Sequence, residues 1–324
     1  MPHARSSAAA NGLRPRALRA RWVVALACGA ALVGCRAGAD APAPRPPLDG
    51  EAALALVHRQ LDFGPRIPGT PGHAAQLAWM VARLDSLAPV VVTDTFSHVT
   101  AAGDSLTLVN VMARFRPEEG RRIVLLTHWD TRPRSTEARD PARRDLPVPG
   151  ANDGASGTAV LMELARVLSR QAPPMGVDLL FVDGEDYGPE LGDMLLGAKR
   201  YAATLPDRGR PIYGVLLDMV GDADARFAPE ALSVQYAPIV VRKVWQAAGR
   251  MGYAAYFPGT VVDPLGDDHI PLNEAGLPTV DVVDFSYGPG NAWWHTPEDT
   301  ADKISAATLR MVGEVMAELI YSGG

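Results

Sequence analysis

Acidic and imidazole side chains recur in this sequence at the ends of apolar runs, where they are hardest to keep in water. The run 177–183 enters Gly184, Glu185 and Asp186, which places two carboxylates side by side. Such a pair repels itself, and removing it from water is costly unless a cation or a proton intervenes. The run 122–128 ends in His128, Trp129 and Asp130; the run 212–220 holds Asp218 near its end; the run 277–285 leads toward His295. Asp153 stands in GANDGASG, just ahead of a helical stretch. Taken singly, each has an ordinary structural explanation. Asp153 would cap the helix that begins near Ser156, His128 would be a hydrogen-bonded core histidine, and Glu185 with Asp186 a solvated turn. Asp218 is harder to dismiss, because an acid following a buried strand needs a partner. Taken jointly they form a donor set. A His or a carboxylate at each of several strand ends suits a catalytic zinc, which uses few protein ligands and keeps one position open. A carboxylate beside a ligand but off the metal is a general base. Successive residues point in different directions, so Glu185 and Asp186 can divide those roles.

The elements that must position these groups follow from periodicity. Helical spacing covers 51–61 and 73–87, with the Pro/Gly turn FGPRIPGTPG (63–72) between them. VVVTDTF (90–96) and LTLVNVMARF (106–115) form an opening antiparallel pair. Strands at 122–128, 177–183, 212–220 and 277–285 then alternate with helices at 156–170, 194–205, 238–252 and 303–321. Strands apolar on both faces, alternating with helices, predict a single α/β domain with a central mixed, mostly parallel sheet flanked by helices. In such sheets sites form outside the carboxyl ends of the strands, and that edge is where the ligand-type residues fall. No internal repeat is present.

The first part of the 324-residue chain belongs to export rather than to the fold. Arg5, Arg14, Arg16, Arg19 and Arg21 precede WVVALACGAALVG, a basic segment followed by a short apolar one. Leu32-Val33-Gly34-Cys35 resembles the lipobox of bacterial lipoproteins, which implies cleavage after residue 34 and a lipid on Cys35. Residues 35–50, rich in Pro and Ala, read as a tether, and 51–324 as the catalytic domain. Arg36 in place of an Asp after the cysteine favours the outer membrane. The expectation is therefore an exported, membrane-anchored, periplasm-facing monomer. Cys28 and Cys35 are the only cysteines, so the mature domain has no disulfide, and His, Asp and Glu must hold any metal. The net charge of −6 becomes more negative once the leader arginines are gone, which argues against nucleic acid as a partner.

HWDT, NDGASGTAVLMELAR, DGED, LLDMVGD and DDHIPL with WHTPEDT, in that order, resemble the zinc aminopeptidase superfamily. The similarity runs from GPRIPGTPG (64–72) to the last helix. The superfamily implies one of two chemistries. Its aminopeptidases use two zinc ions to remove N-terminal residues. Its glutaminyl cyclases use one zinc to convert N-terminal Gln of peptides and proteins into pyroglutamate with release of ammonia. By this resemblance Asp153, Asp186 and His295 match the zinc ligands of the cyclases, and Glu185 matches the general acid/base. Asp218 matches a zinc ligand of the aminopeptidases but a hydrogen-bonding active-site Asp of the cyclases, and His128 matches the other additional ligand of the two-zinc enzymes. Asp267 falls where cyclases carry a catalytic Asp, and Trp294 matches the tryptophan that packs on the substrate Gln. Asp186 as the metal ligand points to the bacterial cyclases. Asp281 stands where animal cyclases have a His, so the hydrogen-bond network there must differ. A hydrogen bond shared between Asp218 and Asp267 is a further expectation. The resemblance thus implies a bacterial glutaminyl-peptide cyclotransferase; a two-zinc aminopeptidase and a catalytically inactive binding protein on the same scaffold are the alternatives.

Overall fold

The structure, a computed structural model, describes residues 46–324. The leader 1–34, the Cys35 lipidation site and most of the tether lie outside the described residues. The chain joins the fold slightly before residue 51. Leu48 is buried, and the Asp49 side chain accepts from Ala52 N at 3.1 Å to cap α1 (Gly50–Leu61). After α2 (Pro71–Asp85) come β1 (Val90–Val99), β2 (Ser105–Phe115), β3 (Arg122–His128), α3 (Ala155–Arg170), β4 (Gly176–Val182) and α4 (Leu196–Ala203). The rest is β5 (Gly214–Asp218), α5 (Ala231–Tyr236), α6 (Pro238–Arg250), α7 (His269–Glu274), β6 (Thr279–Val283) and α8 (Ala306–Tyr321).

The six strands form one mixed sheet in the order β1-β2-β4-β3-β5-β6. β1 and β2 pair antiparallel, as do β2 and β4, whereas β4, β3, β5 and β6 run parallel. Every residue of β3 and β4 is buried, which is why both read as unbroken apolar runs. Alternate residues serve opposite faces. Ile123, Leu125, Phe181, Leu217 and Val282 join the larger core, shared with α1, α2, α3, α6 and α8. Val124, Leu126, Leu180, Val182 and Leu216 pack with Ala198 and Tyr201 of α4 and Leu272 of α7.

Three differences from the periodicity reading have local causes. β5 and β6 are shorter than 212–220 and 277–285, and β5 stops because Met219 turns to a φ of 46°. The six-residue helices α5 and α7 are too short to display helical spacing in sequence. α3 starts from Gly154 with no side-chain cap, so Asp153 is not spent on the helix end. Among the described residues, no helix is long and apolar enough to cross a membrane.

Candidate active site

The carboxyl ends of β3, β4 and β5 deliver His128, the turn after Val182, and Asp218 to one place; the loop before α3 adds Asp153, and the segment before α8 adds His295. Two overlapping donor sets result, His128–Asp153–Asp218 and Asp153–Asp186–His295, and within each set the ligand atoms lie within 4.8 Å of one another. His295 Nε2 is 3.2 Å from Asp186 Oδ1 and 3.5 Å from Asp153 Oδ2. Tetrahedral zinc with bonds of about 2.0 Å spaces its ligands by roughly 3.3 Å, so this set fits the ion. His128 Nε2 lies 2.9 Å from Asp153 Oδ1 and 3.2 Å from Asp218 Oδ1. Asp153 therefore turns one oxygen to each set. Asp186 Oδ2 is buried without a hydrogen-bond partner, an acceptor that a cation would satisfy.

A ring of further residues holds these ligands. The turn at Gly184 takes a φ of 71°, and a Cβ there would stand 3.0 Å from the Leu108 side chain, so the position requires glycine. Asp130 receives the Glu185 and Asp186 amides at 3.1 and 3.2 Å, and its carboxylate lies 3.5 Å from His128 Nδ1. Arg132 donates to Asp186 Oδ1. Asp299 accepts from the Asn152 and Asp153 amides and from the Tyr287 hydroxyl, while buried Arg66 donates to the Pro149 and Gly150 carbonyls, so the Asp153 loop is held from both sides. Gly154 lets His128 lie against the backbone, since a Cβ would stand 2.5 Å from His128 Nε2. Behind the turn, His73 contacts both Asp183 oxygens at 3.0 Å and stacks on Trp129.

The charges are strongly perturbed. Burial, and then the neighbouring Asp186, push the Glu185 carboxyl well above its ordinary range. For Asp186 burial acts upward too, but His295 and Arg132 outweigh it and the net shift is downward. Burial disfavours the imidazolium of His128, yet Asp130, Asp153 and Asp218 raise it well above the ordinary value. Burial lowers Arg66 to about 10 against the pull of Asp299, Asp130 and Asp153. Burial, reinforced by Asp281 and Asp218, keeps Asp267 well above the usual carboxylate range.

Every site residue expected from the sequence, other than the lipidation site, reaches this neighbourhood. A cavity of about 70 Å³ is lined by Asp153, Glu185, Asp218, Asp267, Trp294 and His295, with Phe285 at its side. Trp294 stacks on His295 at 3.8 Å between ring centres and meets Phe285 edge-on at 4.9 Å. The expected hydrogen bond between Asp218 and Asp267 is not made. Asp218 Oδ1 is taken by His128 Nε2 and Met219 N, and Asp267 Oδ1 by Asp268 N at 2.5 Å. Asp281 is buried with neither carboxyl oxygen hydrogen-bonded. Sequence reasoning gave no role to Asp130, Asp299, Arg66, Arg132 or Glu230. Asp130, Asp299 and Arg66 lay inside quoted motifs, which was the available signal.

The sequence matches Peptidase family M28 over residues 110–320. A glutaminyl-peptide cyclotransferase-like protein of Mus musculus is 30% identical over 84% of this chain and 80% of its own length. The solved glutaminyl cyclase of Bacteroides thetaiotaomicron superposes with a TM-score of 0.83 at 34% identity, covering 87% of this chain and all (100%) of that one. A structure described as a leucine aminopeptidase precursor from the same bacterium is equally similar, with a TM-score of 0.83, 34% identity, and 87% and 99% coverage.

Proposed function

We propose, from the premise that this chain belongs to peptidase family M28, that it is a zinc-dependent glutaminyl-peptide cyclotransferase converting N-terminal Gln of peptides and proteins to pyroglutamate. The observation that carries the reading is that Asp267 and Trp294, which distinguish the cyclase from the aminopeptidase pattern, line the same small cavity as Glu185 and His295. The similarity to named glutaminyl cyclases from animals and bacteria supports it.

Asp153, Asp186 and His295 would hold the zinc, which would supply Lewis-acid polarisation of the substrate's γ-amide carbonyl. The remaining work falls to this chain's own residues. The cavity holds the Gln side chain folded back, with its methylenes on the Trp294 face, so that the α-amine approaches the γ-carbon as an intramolecular reactant. Glu185, raised by burial and by Asp186, takes a proton from that amine as the new C–N bond forms. It returns the proton to the γ-nitrogen as the old C–N bond breaks, and ammonia leaves. Asp218 and Asp267 accept hydrogen bonds from the substrate nitrogens. In this reading one zinc suffices, and His128 Nε2 lies against both Asp153 Oδ1 and Asp218 Oδ1, at 2.9 and 3.2 Å.

The intact His128–Asp153–Asp218 set favours a second reading, a two-zinc aminopeptidase. Ammonia release from a Gln-initiated peptide without any free amino acid, with about one zinc per chain, supports the cyclase. Hydrolysis of Leu-anilide with inertness toward Gln peptides, and about two zinc ions per chain, overturns it. From the basic leader and the lipobox-like Leu32–Cys35 we propose, separately, that the protein is exported and anchored through Cys35; Cys35→Ser should then abolish its lipid labelling.

A further inference from the structure

We propose that Glu230 is a positioning residue for the reaction: its single carboxylate hangs the segment carrying Asp267, and with it one wall of the cavity, on the start of α5. The inference rests on the reading of Asp267 as an active-site group.

Glu230 is fully buried, and its carboxylate has four partners. Oε2 accepts from Leu232 N at 2.6 Å and from Leu265 N at 3.3 Å. Oε1 accepts from Ser233 N and stands 3.3 Å from His269 Nε2. Two of these partners, the amides of 232 and 233, are the ordinary cap of a helix start. The other two are not. Leu265 and His269 flank Asp267 by two residues on either side, so the carboxylate is hydrogen-bonded to the Asp267 segment on one side and lies against the His269 imidazole on the other. The backbone adds to the hold, with Val262 N donating to Pro229 O at 3.0 Å. Ser233, one of the capped residues, accepts from Asp281 N at 2.8 Å and extends the connection to β6.

Asp267 needs such a hold. Asp281, Asp218, Glu185 and Asp268 crowd it with other carboxyl groups, and its own short hydrogen bond is to the amide of the next residue, which fixes its rotamer but not its segment. A buried ionised carboxylate is unfavourable unless well paired. Although burial acts upward, contacts with His269, Ser233 and the Leu232 amide hold Glu230 down at about 2. The charge is thus stable where it stands and can serve as a fixed anchor.

The test uses the zinc-loaded enzyme and reads kcat per bound zinc on a Gln-initiated peptide. Glu230→Gln replaces one acceptor oxygen with an amide NH2, a donor that would face backbone N–H donors. We expect kcat per zinc to fall about tenfold with KM nearly constant, short of the roughly hundredfold that a full ångström of misplacement costs. His269→Gln, which leaves the α5 cap untouched, should fall in the same direction and keeps the test decisive if Glu230→Gln folds poorly. A lower melting temperature with wild-type kcat per zinc in both variants would make Glu230 a helix cap only and overturn the proposal. Failure of the underlying reading looks different: wild-type protein would release no ammonia, or Asp267→Asn would turn over normally.

Discussion

The two ends of the site are built on opposite principles. At the metal end, above β3, β4 and α3, each carboxylate is held by amides or cations: Asp186 by Arg132 and His295, Asp153 through the loop that Asp299 and Arg66 fix, and the DGED turn by Asp130. At the acidic end, above β5 and β6, Asp268 and Asp281 are buried with no hydrogen bond to any carboxyl oxygen. Burial raises both, Asp268 to about 8. The first region is shaped to concentrate ionised oxygen around a cation, the second to keep carboxyls protonated. Cyclisation needs both, one to draw electrons from a carbonyl and the other to manage protons and N–H donors nearby. Glu185 stands at the junction, beside an ionised Asp186 and raised itself, as a carboxyl that must gain and lose a proton requires.

The strongest way to break this contrast is at the metal end. Asp186→Ala removes a ligand whose neighbours, His295 and Arg132, remain as uncompensated donors. Zinc content, measured by metal analysis, should fall far below stoichiometric and turnover with it; dialysis against a chelator should reproduce the loss, and added zinc should restore the wild type but not the variant. If Asp186→Ala retains its zinc, the ligand assignment is wrong. Glu185→Gln comes next. It should keep zinc and fold, yet lose roughly 10²–10⁴-fold in kcat, the range of a positioned acid/base group. Retained turnover would move the proton transfer to another residue, such as Asp267, which lines the same cavity. Trp294→Ala should be milder, raising KM for the Gln substrate about tenfold, equivalent to about 1.4 kcal/mol of lost contact. A selective drop in kcat would instead mean that the indole acts by holding His295, on which it stacks.

The same contrast explains what could be read from the sequence. His128, Asp186 and Asp218 were legible because each follows an apolar run, and a strand end beside a carboxylate or imidazole is visible locally; Asp153 and His295 were legible through the motifs GANDGASG and WHTPEDT. The parallel sheet was legible for the same reason: β3 and β4 are buried on both faces and show it residue by residue. The clamps were not. Asp130 reaches 55 and 56 residues along the chain to Glu185 and Asp186, and Asp299 reaches 147 and 146 to Asn152 and Asp153. Such pairings leave no periodic trace. The shared hydrogen bond expected between Asp218 and Asp267 failed at a finer level, because nearer donors, His128 and the amides of Met219 and Asp268, claim those oxygens. α5 and α7 were missed for brevity, and with them the Glu230 anchor that joins them.

The smallest expected effect sharpens the acidic end through stability rather than rate. Asp268 is raised from 3.8 to about 8, with burial as the main cause. Its folded form therefore keeps a proton that the unfolded chain releases above its ordinary value. The sign follows from linkage: the neutral group favours the fold fully below about 4, and that contribution is lost as pH rises toward about 8. Asp268→Asn supplies a neutral side chain at every pH. Its melting temperature should therefore fall less steeply than that of the wild type between those limits, with the gap growing toward the alkaline end. The comparison should be made on zinc-loaded protein, because a cation nearby lowers every carboxyl around it. Parallel melting curves across the window would mean that Asp268 is ionised in the fold. The acidic end would then hold its charge as the metal end does, and the two regions would differ only in which partners they use.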